Sequence, residues 1–108
     1  MPSQDKFIKA LEDEMKKFAE ERWTDYKKAA LNDIEDFIKE YKNDFIRWKK
    51  ALDTGTLKKC DFEWLVQSKK DEAKLMALKQ EGLAKVAQDR FLNGLIDLII
   101  GTAFKTLL

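Results

Sequence analysis

The chain has 108 residues, about one domain's worth, with 44% apolar and 38% charged residues, a net charge of +1 and a single proline. That balance excludes a disordered segment and favours long solvated helices over a β or α/β fold. The absence of histidine excludes Ser-His-Asp and Cys-His catalysis, histidine-containing zinc sites and Glu-x-x-His di-iron sites, and the isolated glycines at 55, 82, 94 and 101 form no phosphate loop.

The opening residues MPSQDKFIK contain no apolar stretch of signal-peptide length, which points to the cytoplasm with a leaderless export route left open. From Ser3 to Thr54 there is no glycine, and the only proline is Pro2. Apolar residues recur there with a period of eleven: Ile8, Ala19, Ala30, Tyr41 and Leu52 in one row, Met15, Tyr26, Phe37 and Trp48 in a second, and Trp23, Ile34 and Phe45 in a third. Eleven residues make three helical turns, so the rows form one nearly straight stripe. The pattern predicts a first helix over 4–53, about 75 Å long. Asn32 and Glu35 resemble a capping pair, yet the rows cross that point without a phase shift, so continuity is expected. Asp33, Asp36, Glu40 and Asp44 lie at helical spacing and read as a solvated acidic face paired with nearby lysines.

The segment 54–57 interrupts the pattern, with Gly55 suited to end a helix and Lys49 and Lys50 suited to its C-terminus. It superficially resembles the end of a calcium-binding loop, but the ligand positions fall on Lys50, Leu52 and Thr54, which cannot supply carboxylates. A second helix is predicted over 58–107, weakened locally at Gly82 and Gly94. The two helices should fold back as one antiparallel hairpin domain in which facing residue numbers sum to about 111. In that register Trp48 meets Trp64, Phe37 faces Ala73 and Ala77, and Trp23 faces Ala87, large against small. The expected fold is therefore all-α: a long hairpin that builds a four-helix or larger bundle by self-association.

Charge is zoned along the chain: −3 over residues 1–46, +4 over 47–60 and zero over 61–108. Arg47, Lys49, Lys50, Lys58 and Lys59 gather around the turn as a basic tip that could meet phosphates or an acidic partner, although no continuous basic track supports nucleic-acid binding. Cys60 is the single cysteine, which rules out an internal disulfide and reads as a bystander thiol. The aromatic residues at helical spacing read as core, with a ligand or partner-helix groove as the alternative.

The final stretch, FLNGLIDLIIGTAFKTLL, is apolar almost all round and must be covered on several sides. As a membrane span it is marginal. Ten large apolar residues contribute roughly −5 kcal/mol and Asp97 near the middle returns about +3, with further cost from Lys105. In the hairpin it lies beside the apolar start of the first helix, and a second copy could complete the cover. Ile8, Leu11, Met15, Phe91, Leu95, Leu98, Ile99, Ala103 and Phe104 are the expected interface. These features predict a non-catalytic structural, adaptor or assembly protein that forms a homo-oligomer, a dimer being favoured. No metal or cofactor is expected. The alternatives are a membrane-active or pore-forming protein using the tail, and a binder of nucleic acid or an acidic partner using the tip.

Overall fold

A computed structural model describes residues 3–107, with side chains from Lys6 onward. Among these residues every regular element is helical: α1 (Ser3–Arg22), a 3-10 turn (Thr24–Tyr26), α2 (Lys27–Asp53), α3 (Lys59–Ser68), α4 (Met76–Gln80) and α5 (Lys85–Lys105). The all-α expectation holds. The hairpin of two fifty-residue helices does not: the molecule measures 42 × 25 × 19 Å, against the roughly 75 Å such a hairpin needs.

Each expected long helix is broken. The first break falls at Trp23 (φ −127°, ψ 42°), which neither glycine nor proline marks. Thr24 and Asp25 follow it, two residues whose short polar side chains favour turns over helix interiors. Continuity through Asn32 holds, since α2 runs unbroken from Lys27 to Asp53. Folding α1 back against α2 lets the apolar stripe cover itself: Phe7, near the start of α1, puts its ring 5.7 Å from the Lys49 ammonium near the end of α2. Along the stripe Leu11, Met15, Ala19, Ala30 and Phe45 are all fully buried. Burial of so many side chains, at about 1.5–3 kcal/mol for each large one, exceeds the cost of one interrupted turn.

The predicted turn is present. Gly55 adopts φ +80° after the last residue of α2, a left-handed conformation that glycine takes without steric penalty. The second long helix then breaks twice. Residues 69–75 leave helical geometry although their composition suits a helix, and Ser68 closes α3 by donating its hydroxyl to the Leu65 carbonyl at 2.6 Å. At Gly82 (φ +83°) the amides of Gly82 and Leu83 return to the carbonyls of Lys79 and Leu78, the paired bonds of a Schellman ending.

The result is a bundle with four legs from one chain. α1 and α2 are antiparallel, α3 and α4 together form the third leg along α2, and α5 is the fourth. α5 runs antiparallel to α1, with Phe91 against Phe18 (5.5 Å) and against Trp23 (5.2 Å, edge to face). Gly94 allows this approach, because a Cβ there would lie 2.8 Å from Phe18 Cζ; Gly101 faces open space. Part of the predicted register survives: Gly94 on Phe18 and Ala77 on Asp33 have numbers close to the expected sum. Trp48 and Trp64 do not meet as predicted; Trp48 is buried, and Trp64 is 68% exposed on α3.

Two buried polar groups tie the legs together. Asp33, 1% exposed, reaches from α2 to the start of α4, where its carboxylate accepts the amides of Ala77 (2.9 Å) and Leu78 (2.8 Å). α4 has no capping side chain of its own, so a carboxylate from another helix does that work. Lys49, fully buried, donates to Asp53 Oδ1 (2.5 Å) and to the Thr106 carbonyl at the end of α5 (3.0 Å).

Candidate functional site

The nine residues expected at an oligomer interface lie along α1 and α5, in or against the common core. One chain already covers them: Ile8, Leu11, Met15, Phe91, Leu95, Ile99 and Ala103 are buried, and only Leu98 and Phe104 keep partial exposure. The cover comes from the breaks at residues 23–26 and 69–75. They let α1 and α3 close around the tail, so a partner can reach little of this set. Phe104, for example, packs against Phe62 of α3 at 6.0 Å. Among the described residues, no helix is long and apolar enough to cross a membrane.

Of the five residues expected at the basic tip, Lys49 alone is buried. Lys49 is internal, because its aliphatic stem fits the core and its ammonium finds Asp53 and the Thr106 carbonyl there. Arg47 turns back to Asp44 (2.9 Å) and lies over Trp48 at 6.0 Å. Lys59 sits 5.3 Å from the Phe104 ring. Arg47, Lys50, Lys58 and Lys59 are all exposed, and so is Cys60. The acidic strip also divides: Asp33 is a buried cap rather than a solvated group, while Asp36 and Glu40 stay in water.

Two surface features emerge instead. The first is a groove of about 570 Å³ between α1 and α2. Leu31, Ile34 and Ile38 form its floor, with Glu12, Lys16, Glu35, Lys39 and Lys42 around it. The helical spacing of α2 produces this: residues 31, 34/35, 38/39 and 42 share one face, where apolar and charged side chains alternate. The groove is predominantly apolar and carries charges of both signs.

The second feature lies on another face of α2, where Phe37, Tyr41, Phe45 and Trp48 form a ladder with centroid spacings of 5.0, 6.3 and 6.0 Å. The Lys69 ammonium rests against it, 5.1 Å from the Tyr41 ring and 5.7 Å from Trp48, with Glu72 at 3.0 Å and Asp44 at 3.6 Å. The hydrogen bond to Glu72 holds Lys69 above the usual lysine pKa. Burial, followed by the charges of Glu72 and Glu40, raises the Tyr41 hydroxyl. Among the described residues, no three carboxylate or cysteine groups converge as a metal site would require.

Neither feature was singled out from the sequence. The signal for the groove was present in the i,i+4 pairs Glu12/Lys16 and Glu35/Lys39 flanking apolar positions, but such pairs are common on any exposed helix. Compared with models of known protein families, with curated proteins and with solved structures, the chain matches none.

Proposed function

We propose that this is a non-catalytic helical assembly protein that pairs with a second copy of itself through the groove between α1 and α2. The observation that supports this reading is the self-complementary order of residues along α2. In a two-fold dimer, a residue i that touches j′ also has j touching i′. If two copies of α2 cross antiparallel, Glu35 meets Lys39′ and half-buried Leu31 meets the stem of Lys42′, above Ile34 and Ile38, which the chain itself already covers to 5% and 7% exposure. These pairs sum to 74 and 73, one register within a residue. Leu31 then packs on the aliphatic part of Lys42′ and opposite charges pair with each other, with Glu12 and Lys16 of α1 at the rim. The expected interface thus moves from the buried α5 end to the α1/α2 face, and the homodimer remains the favoured partner.

Light scattering after gel filtration at micromolar concentration tests the reading. A dimer of about 25 kDa is expected, twice the 12.7 kDa chain. Glu35→Lys sets two like-charge pairs across the two-fold and shifts the mass toward the monomer. Lys39→Glu does the same, and the double exchange restores the dimer. A monomer at 100 μM, or a dimer indifferent to both single reversals, overturns the proposal.

A further inference from the structure

A cleft of about 250 Å³ opens beside Lys69, lined by Asp36, Phe37, Glu40, Tyr41, Glu72, Ala73, Lys74 and Met76. Its walls come from α2, the 69–75 turn and the first residue of α4. We propose that this cleft binds a small alkylammonium cation, its methyl or methylene groups against Tyr41 and Met76 and its charge facing Asp36, Glu40 and Glu72.

The chain itself demonstrates the chemistry one step along the same wall. An aromatic face attracts a cation within about 6 Å of its centroid, and more strongly where water is reduced. Lysine side chains are ordinarily left in solvent. Lys69 is drawn down to 18% side-chain exposure, onto two rings and between two carboxylates. Tyr41 and Glu72 contact that ammonium and also line the cleft. The cleft continues the arrangement on α2 with two more carboxylates, the core residue Phe37, 5% exposed, closing its floor.

Charge, shape and size select the ligand class. Three acids against Lys74 leave the lining at −2, and Lys69, paired with Glu72 at its edge, brings the surroundings to −1, so a cation is still favoured over an anion. A metal ion needs carboxylates converging at about 2–2.6 Å, which among the described residues is not met here. Carboxylates spread around an apolar floor suit a diffuse organic cation, whose charge is distributed over methyl groups. The volume lies below the roughly 300 Å³ at which drug-sized pockets begin, so the cation is small. Met76, 57% exposed, supplies a polarizable side chain that can close over it. The proposal uses a different face of α2 from the α1/α2 groove and does not depend on dimer formation.

The test is a two-dimensional amide NMR titration of the full chain with tetramethylammonium chloride, run against sodium chloride at equal ionic strength. Saturable shifts specific to tetramethylammonium are expected at residues 36–41 and 72–76, with a dissociation constant on the order of millimolar for so small a contact. Glu40→Gln, an exposed change that spares the core, should weaken binding about three-fold, and Tyr41→Leu about five-fold or more. Lys69→Ala uncovers more ring surface and should tighten it. Phosphatidylcholine vesicles form a second arm. Co-sedimentation lost in Tyr41→Leu assigns the cation to a lipid headgroup, and binding confined to the free salt assigns it to a solute. Shifts that match sodium chloride, that do not saturate, or that survive both Glu40→Gln and Tyr41→Leu overturn the proposal.

Discussion

Replacing Asp33 with alanine should be among the most damaging single changes in this protein. The carboxylate accepts two backbone amides, from Ala77 at 2.9 Å and Leu78 at 2.8 Å, in a place that is 1% exposed. A hydrogen bond to a charged group contributes about 1.5–3 kcal/mol net, and a helix cap lost to alanine costs about 0.5–2. α4 is only five residues long and cannot sustain itself once its first amides lose their partner. The expected loss is about 3–4 kcal/mol, a large share of the 5–15 that typically holds such a domain. It corresponds to a fall of roughly 15–20 °C in Tm. Asp33→Asn keeps one acceptor and turns a donor toward the other amide, so it should lose roughly half as much. Asp36→Ala, on the exposed side of the same helix, is the control and should stay within about 0.5 kcal/mol. Urea unfolding gives the free energies, and hydrogen exchange at Ala77 and Leu78 locates the effect. If Asp33→Ala costs no more than Asp36→Ala, or those two amides exchange no faster in it, the capping argument is wrong.

Asp53→Ala leaves the Lys49 ammonium inside the bundle without its counter-charge, and should cost about 3–5 kcal/mol by urea unfolding; Lys49→Met with Asp53→Leu should recover most of that. Gly82→Ala forces a side chain into φ +83° and should lower stability by about 1–2 kcal/mol in the same assay. Gly101→Ala fills open space within α5 and should raise stability by about 0.5–1 kcal/mol. Gly94→Ala brings a Cβ to 2.8 Å from Phe18 and should fall at least about 1 kcal/mol below Gly101→Ala in thermal denaturation.

The helical class, the turn at Gly55 and the burial of the eleven-residue rows were legible because each rests on local pattern. Residues 8, 19, 30 and 52 are buried as their spacing requires, while Tyr41 of the same row and Tyr26 and Trp23 of the others are half-buried. The break at Trp23 was not legible, since no glycine or proline stands there and the period continues through it. What decides that break is tertiary: Trp23 gains an edge-on contact with Phe91, and the stripe of α1 gains α5 as cover. The 69–75 turn is a stronger case. Its sequence suits a helix, and its geometry is fixed from outside by Asp33 beyond one end and by Asp44, Tyr41 and Trp48 around Lys69 at the other. The tail was correctly read as needing cover on several sides. Its cover was assigned to a second molecule because a straight hairpin has too few legs, and the breaks supply those legs from within the chain. Lys49 was misplaced for a related reason: a lysine near a turn looks solvated until the end of another helix is set beside it.

The packing of α5 on α1 also has a consequence in time. Phe18 meets Gly94, roughly 75 residues further along, and ribosomal synthesis at about 5–20 residues per second makes that partner available only some 4–15 s later. During that interval α1 and α2 can pair, but the outer flank of α1, with Phe18 and Trp23, has no cover. The emerging chain therefore presents an aromatic edge that stays open until α5 is made, and it is at this stage that a holding chaperone would find its grip.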